Sequence, residues 1–183
     1  MTRIVLTYDD YAALPDDGKR YELHEGELVV TPSPGTLHQQ VSARLTILLG
    51  GHVWRNDLGE LLVAPYDCIV SDITVVQPDI IYLDESRARL LSDRALEGAP
   101  TLAVEIVIPS TEDVDRHTKP ALYARHDVPW YWIVDPSTCT IEVYGLDGTA
   151  YRLDATLEGA EPRALRPLDD LVLAPADVWR GLR

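Results

Sequence analysis

The chain has 183 residues, of which 46% are apolar and 25% are charged, and these proportions are typical of one globular domain with its own hydrophobic core. No apolar run approaches the ~20 residues of a membrane-spanning helix, so we expect no membrane partner. The opening residues, MTRIVLTYDD, bring acids at positions 9 and 10 and are not typical of a signal peptide. The sequence has only two cysteines, Cys68 and Cys139, which are too few for a disulfide framework or a cysteine zinc site. We therefore expect the protein to work in the reducing cytoplasm.

The charge balance is strongly acidic. Sixteen Lys and Arg residues stand against 30 Asp and Glu residues, which gives a formal net charge of −14. Because affinity for polyanions comes mainly from Lys and Arg that displace counterions, such a surface repels phosphate at long range. A nucleic-acid partner would therefore have to be held by a local basic patch or through metal ions.

The first third of the chain predicts a helix, a hairpin and a second helix. Residues 7–14 are typical of a short helix with Thr7 as its N-cap. Residues 20–31 predict a β-hairpin that turns at Glu25-Gly26. A long helix is expected from Thr36 to Arg55, because its apolar residues share one helical face: Leu37, Val41, Leu45, Leu48 and Leu49.

The middle of the chain is rich in strands. Strands are expected at 60–65, 68–72 and 79–83, and the charged segment 85–98 is expected to be a loop or a short helix. Residues 101–108, TLAVEIVI, are almost all apolar, which is typical of a strand covered on both faces.

Proline at position 120 fixes the expected start of the next helix. Because proline is tolerated only in the first turn, we expect a helix that begins near His117, with Thr118 as its N-cap and Lys119 in its opening turn, and that ends near His126. The rest of the chain predicts strands at 130–135, 140–146 and 149–157, then a short strand and a helical end around 176–182.

This order of elements predicts an α/β or α+β fold in which helices flank a mixed β-sheet. No internal repeat, low-complexity tract or linker interrupts residues 1–183, so we expect a single domain. The sequence lacks GxxxxGK[ST], GxGxxG, HExxH and GxSxG motifs, which argues against nucleotide cofactors, zincin chemistry and α/β-hydrolase chemistry.

Two acids stand out by their positions. Glu105 lies in the middle of the apolar strand at 101–108, where a buried carboxylate requires a proton or a cation. Asp79 opens the strand at 79–83. If neighbouring strands bring the two carboxylates within ~4 Å, their repulsion is about 4 kcal/mol at an effective dielectric constant of 20. Carboxylates beside a backbone carbonyl suit Mg²⁺, although a structural salt bridge to Glu105 and an ordinary strand-entry role for Asp79 are the alternatives.

Three further polar residues are candidates for the same site. Lys119 follows the Glu105 strand after a short connection and could fold back towards it, or it could be an exposed lysine at a helix start. Glu22 in the hairpin and His38 in the first turn of the long helix could point into a cleft or be ordinary polar residues. The aromatic run Trp130, Tyr131 and Trp132 is more typical of a core or dimer interface than of a base-stacking surface.

Four blocks of the sequence resemble a known family. In order they are RYELHEGELVVTPSPGTLHQQV, VVQPDIIYL, GAPTLAVEIVIPSTEDVDRHTKPALYARHDVPWYWIVDP and TIEVYGL. Over residues 7–175 the chain resembles the Uma-type restriction endonucleases, a branch of the PD-(D/E)XK nuclease superfamily. The resemblance implies a restriction-endonuclease-like core and Mg²⁺-dependent cleavage of phosphodiester bonds, with Mn²⁺ as a substitute.

The resemblance also implies residue roles. Asp79 and Glu105 would be the metal ligands, together with the backbone carbonyl of Ile106, and Lys119 would be the catalytic lysine. In the usual superfamily pattern this lysine lies two residues after the acid, where the present chain has Val107. Glu22 and His38 match positions typical of the family and would be auxiliary.

The expected activity is that of a magnesium-dependent DNA endonuclease acting as a homodimer, since two nicks in a duplex need two sites. Arg87, Arg89 and Arg94 lie in one segment and are the candidates for phosphate contacts. The alternative is a catalytically inactive nuclease fold kept for protein interaction or assembly, which the negative charge favours. Composition also leaves open a glycosidase with paired acids, although nothing in the sequence favours it.

Overall fold

The computed structural model describes residues 4–182, which form two β-sheets, a small two-stranded sheet and five α-helices. The helices are α1 (Tyr8–Ala12), α2 (Thr36–Arg55), α3 (Glu85–Ala88), α4 (Lys119–Arg125) and α5 (Pro175–Trp179). The strands are β1 (Arg20–His24), β2 (Glu27–Thr31), β3 (Glu60–Val63), β4 (Asp67–Ser71), β5 (Thr74–Val76), β6 (Ile80–Leu83), β7 (Ala95–Leu96), β8 (Leu102–Ile106), β9 (Trp130–Asp135), β10 (Thr140–Asp147), β11 (Ala150–Leu157), β12 (Arg163–Leu165) and β13 (Leu168–Leu173).

The larger sheet has six strands in the order β11-β10-β9-β8-β6-β3. Strands β8 and β9 pair in parallel, and the other neighbouring strands in this sheet are antiparallel. All five residues of β8 are buried, as expected for a nearly continuous apolar strand in the middle of a sheet. The predicted mixed α/β sheet flanked by helices is confirmed.

The smaller sheet carries the N-terminal hairpin. Its order is β2-β1-β5-β4-β7, and β1 pairs with β5 at Leu23↔Val75. The hairpin turns at Glu25 and Gly26, which both have positive φ, so the predicted turn is confirmed. Through this pairing, the hairpin lies beside the chain that leads from β5 into β6.

The two faces of the larger sheet bury different cores. One face packs against α2, β12, β13 and α5, and its core includes Val41, Leu45 and Trp132. The other face packs against the smaller sheet and α4, and its core includes Ile81, Ala103 and Tyr131. Because side chains alternate along a strand, Glu105 and Asp79 point to the second face, towards α4.

Most of the predicted elements are present with small shifts. Helix α2 has the predicted bounds, and Thr7 caps α1 through hydrogen bonds shared with Asp10. Strands β5 and β7 were not predicted, and β3 ends at Val63, two residues before the proline that the prediction included. Among residues 4–182, no helix is both long and apolar enough to cross a membrane.

Helix α4 begins at Lys119, directly after Thr118 and with Pro120 in its first turn, as predicted, but the helical turn that precedes it was not predicted. A π-helical turn over Val114–Thr118 precedes α4, and Thr118 has helical backbone angles and makes no side-chain capping bond. In this turn the N–H of Lys119 reaches the carbonyl of Val114, five residues back. The wider turn extends helical backbone to the residues before α4, while Pro120 lies in the first turn of α4, where proline is tolerated.

Candidate active site

Asp79 and Glu105 come from paired strands and line one cleft. Strands β6 and β8 are antiparallel with Ile80 opposite Val104, so the same register places Asp79 opposite Glu105. The two residues are 7% and 3% exposed. They line a narrow cleft of about 30 Å³ together with His38, Ile106 and Lys119. The backbone pairing thus brings both acids to one point near the ends of two interior strands of the sheet.

One oxygen of Asp79 is held by two groups. Its Oδ2 accepts a hydrogen bond of 2.8 Å from the backbone N–H of Ile106 and lies 2.9 Å from Nε2 of His38. In the tautomer with its proton on Nε2, His38 donates to Asp79, and its buried Nδ1 has no hydrogen-bond partner among residues 4–182. Within the same residues, Oδ1 of Asp79 accepts no hydrogen bond and is free for another ligand.

Lys119 lies at the centre of a second group of acids. Its Nζ is 2.9 Å from Oε1 of Glu105, 3.5 Å from Oε1 of Glu22 and 3.6 Å from Oδ1 of Asp115. The lysine is 4% exposed, and all three acids are buried as well. We call Lys119, Glu22, Glu105 and Asp115 the lysine cluster.

The acids of the lysine cluster are fixed by further hydrogen bonds. The Tyr123 hydroxyl donates to Oε1 of Glu105 at 2.6 Å, which leaves Oε2 without a hydrogen bond among the described residues. The Gln77 backbone N–H donates to Oε1 of Glu22 at 2.7 Å. Oε2 of Glu22 lies 3.0 Å from Nε2 of His24. The carboxylates therefore have defined orientations before any ligand arrives.

Burial and neighbouring charges shift the pKa values of the lysine cluster in different directions. Burial raises the pKa of Glu105 well above its ordinary value, and the charge of Lys119 only partly offsets this. Burial likewise raises the pKa of Asp115. Burial alone would also raise the pKa of Glu22, but the charge of Lys119 and the His24 hydrogen bond outweigh it and lower the pKa to about 2. Burial alone would lower the pKa of Lys119, but its three acidic neighbours raise it.

The helical segment that carries Lys119 directs several side chains at the sheet. Asp115, Lys119 and Tyr123 are spaced four residues apart across the π-helical turn and α4, and all three contact the lysine cluster. The Tyr131 hydroxyl donates to the carbonyl of Asp115 at 2.8 Å, which fastens the π-helical turn to β9. The predicted core role of Tyr131 and Trp132 is confirmed, since both are fully buried.

Residues 8–176 match the family described as "Uma2: Putative restriction endonuclease". The chain belongs to this family. A crystal structure described as a "putative nuclease belonging to DUF820" from Anabaena variabilis ATCC 29413 is 22% identical, with a TM-score of 0.76. The match covers 97% of this chain and 99% of that one, and it shows a shared fold. No curated protein matches the chain. Membership in the Uma2 family supports a nuclease activity.

Five of the predicted site residues lie together in the structure of this Uma2 family member. Asp79, Glu105, Lys119 and His38 line the cleft, and Glu22 joins them through Lys119. The role of the Ile106 carbonyl stays a prediction, since the contact that the structure shows is from its N–H.

The three arginines predicted to contact phosphate do not line this cleft. The Arg87 guanidinium donates instead to the backbone carbonyls of Ala99, Pro100 and Asp127. Arg89 and Arg94 are exposed elsewhere on the surface.

Sequence reasoning missed three residues of the site: Arg20, Asp115 and Tyr123. The signals were present in the spacing of the sequence. Asp115 and Tyr123 each lie four residues from Lys119 along a helical segment, and Arg20 lies two residues from Glu22 on the same face of a strand. These spacings become informative only when Lys119 and Glu22 are known to belong to the site.

The cleft fits a magnesium ion through its donor atoms and its charge. Among residues 4–182, no group of three or more His, Cys, Asp or Glu side chains is arranged to hold a metal. Mg²⁺ commonly uses only one or two carboxylates and keeps several waters, and Asp79 and Glu105 each retain an oxygen without a hydrogen bond. Beside Asp79, three buried carboxylates share the single ammonium of Lys119, so a divalent cation would favour their charged forms.

Proposed function

We propose that this chain is a metal-dependent endonuclease that hydrolyses phosphodiester bonds in DNA. The observation that carries the proposal is the pair of carboxylates from opposed strands, Asp79 and Glu105, with a buried lysine 2.9 Å from one of them. This arrangement agrees with the nuclease activity that the family supports. A group of buried carboxylates with raised pKa values in a cleft is a candidate cation site, because a bound cation would favour their charged forms.

Asp79, Glu105 and the carbonyl of Ile106 would hold Mg²⁺, or Mn²⁺ as its substitute. When bound, the ion supplies Lewis-acid polarisation of the scissile phosphate and makes a nearby water more acidic. His38 and the Ile106 N–H keep Asp79 in place through Oδ2 and leave Oδ1 for the ion.

Lys119 and Tyr123 would orient Glu105. Both contact Oε1, so Oε2 is the oxygen of Glu105 that is left for the ion. The lysine also keeps its three acids close together when no ion is present, because its charge offsets part of their repulsion. We propose that this preorganisation, and not a direct attack on substrate, is the contribution of Lys119.

The proposal includes a homodimer that works in the cytoplasm as a single-domain subunit. Each subunit offers one cleft, so two subunits are needed to cut both strands of a duplex. The cysteines of the described residues, Cys68 and Cys139, are both free, which suits a reducing compartment.

The decisive experiment replaces Glu105 with Gln and follows cleavage of plasmid and single-stranded DNA in Mg²⁺ or Mn²⁺. Glu105→Gln should abolish cleavage, because an amide oxygen binds the ion weakly and no longer balances Lys119. Glu60→Gln is the matched control, since Glu60 is exposed at the start of β3. Wild-type protein should also melt at a higher temperature in Mg²⁺, and at 100 times the dissociation constant the stabilisation is about 2.7 kcal/mol.

An active Glu105→Gln variant of normal stability would contradict the proposed scheme. The rival function, a catalytically inactive module for protein interaction or assembly, makes a different forecast. In that case wild-type protein would cleave no DNA, and neither Mg²⁺ nor Mn²⁺ would change its melting temperature.

A further inference from the structure

Lys119 is poorly placed to meet a phosphate group. Its ammonium has three N–H groups and three carboxylate neighbours within 3.6 Å, and the residue is 4% exposed. A substrate phosphate could reach it only by displacing one of these acids, which would leave a buried carboxylate without its partner. A different cation must therefore meet the negative charge of the nucleic-acid backbone.

Arg20 is the other cationic side chain among those that line the cleft within residues 4–182. It is the first residue of β1, and it lies two positions before Glu22 on the same face of the strand. Unlike Lys119, it is only partly buried and is reached from solvent. Arg20 is therefore a partly exposed cation of the same cleft that Glu105, Asp115 and Lys119 line.

The Arg20 guanidinium is fixed on one side and free on the other. Its Nε donates to Oε1 of Gln77 at 3.2 Å, and its Nη2 donates to the Gln77 backbone carbonyl at 3.0 Å. Its Nη1 donates no hydrogen bond within the described residues and keeps both N–H groups for a ligand. A guanidinium held in this way loses little conformational entropy when it binds an oxyanion.

Gln77 connects this guanidinium to the candidate metal site. Its side-chain Nε2 donates to Oδ1 of Asp67 at 2.7 Å and to the Tyr11 hydroxyl at 3.3 Å, which fixes the amide that receives Arg20. Its backbone N–H donates to Glu22, and Asp79 follows it two residues later in the chain. Arg20 is thus fastened to the same short segment that places Asp79.

We propose that Arg20 binds a non-bridging phosphate oxygen of the nucleic-acid strand in the cleft and is the fixed cation of the site. This inference rests on the proposed nuclease function and names the residue that meets its substrate. It also gives a chain with a net charge of −14 a local, immobilised cation in the cleft that phosphate would have to enter.

The test measures DNA binding and cleavage by wild-type protein and by Arg20→Gln. Binding to a duplex oligonucleotide is followed by fluorescence anisotropy in Ca²⁺ at several KCl concentrations. Losing one phosphate contact should make the slope of log K against log[KCl] shallower by about 0.9. With a metal that supports cleavage, kcat/KM should fall roughly 10- to 100-fold, as expected for a lost charge-assisted hydrogen bond.

Two further variants separate a phosphate contact from a structural role. Arg152→Gln removes the same charge from an exposed side chain on β11, and it should leave the slope and kcat/KM unchanged. Arg20→Lys keeps the charge without the planar fork, so it should restore the slope but only part of the cleavage rate. A merely structural Arg20 would lower the melting temperature without changing the salt dependence.

The outcomes distinguish a failure of the Arg20 inference from a failure of the proposed nuclease function. If wild type cleaves DNA and Arg20→Gln behaves like Arg152→Gln, Arg20 is not the phosphate contact and only this inference fails. If wild type binds DNA with an Arg20-dependent slope but never cleaves it, the contact stands and the proposed function fails. If wild type neither binds nor cleaves nucleic acid, both are overturned.

Discussion

Two groups of charged side chains in this protein each place one cation among three acids, but they differ in how far the cation is buried. In the lysine cluster, Lys119 faces three acids. Three residues earlier in the chain, Arg116 also faces three acids: Glu112, Asp135 and Glu142, at 3.4, 2.9 and 3.0 Å. The Lys119 side chain is 5% exposed and the Arg116 side chain is 24% exposed. Equal charge counts are therefore set in different surroundings.

The pKa values show what this difference does. Burial raises the pKa of Asp115 in the lysine cluster. Burial would also raise the pKa of Asp135 beside Arg116, but hydrogen bonds from Ser137 and Arg116 outweigh it and lower the pKa. The charged form of Asp135 is thus favoured, whereas burial disfavours the charged forms of Glu105 and Asp115. Asp115 and Asp135 are only 3% and 5% exposed, so the hydrogen bonds that Asp135 accepts from Ser137 and Thr138, and not the number of charges, separate the two groups.

The largest expected effect comes from removing the buried cation. Lys119→Met should lower the free energy of unfolding by about 3–5 kcal/mol at neutral pH, because it leaves buried carboxylates without their partner. Cleavage should be lost as well, since Glu105 loses the group that orients it. Urea denaturation measures the first effect and plasmid nicking the second. Wild-type stability in this variant would show that the acids do not depend on the amine.

The pH dependence of stability should have opposite signs in the two groups. Because the folded-state pKa of Glu105 lies above its ordinary value of 4.5, its extra stability is complete below pH 4.5 and is lost as the pH rises. Relative to wild type, Glu105→Gln should therefore gain up to about 1.4 kcal/mol per pH unit above that value, measured by denaturation in EDTA.

Asp135→Asn is the matched opposite. The folded-state pKa of Asp135 lies below its ordinary value of 3.8, so its contribution is present above that pH and is lost as the pH falls. Wild type should therefore hold its advantage over Asp135→Asn at neutral pH and lose it in acid. Parallel pH profiles for the two variants would contradict the contrast between the groups.

The smallest effect is expected at Arg116. Arg116→Gln should lower the free energy of unfolding by about 1 kcal/mol or less, because a partly exposed ion pair contributes little and Asp135 keeps its hydrogen bonds from Ser137 and Thr138. Cleavage should stay within about twofold of wild type. A loss of activity as large as that of Lys119→Met would mean that Arg116 belongs to the reaction site.

Much of the fold could be predicted because local patterns agree with it. The apolar spacing of α2 gave its bounds, and the unbroken apolar run around Glu105 gave a strand buried on both faces. The pairing of Asp79 with Glu105 could also be expected, because two strands that each carry a candidate site acid should lie next to each other in the sheet. Local patterns indicated site residues such as Glu105, because a charged residue within an apolar strand is unusual in the sequence itself.

The remaining parts depend on contacts between distant segments. Arg20 looks like an ordinary first residue of a hairpin until Gln77, 57 positions later, is seen to hold it. Asp115 looks like a surface acid on a helix until the π-helical turn is seen to pack against β9 and to turn its side chain towards Lys119. The proline rule located the start of α4 but gave no sign of the π-helical turn before it, because that wider backbone has no local sequence signal.

The π-helical turn of Val114–Thr118 makes the length of this segment as important as its chemistry. In a regular α-helix each residue turns the chain by about 100°, so deleting one residue here would rotate the preceding side chains relative to those that follow by that angle. The 3.6 Å contact between Oδ1 of Asp115 and Nζ of Lys119 would then be lost or remade at a different angle to Glu105. An insertion or deletion that a surface loop would absorb should therefore dismantle the site while leaving every one of its residues in the sequence.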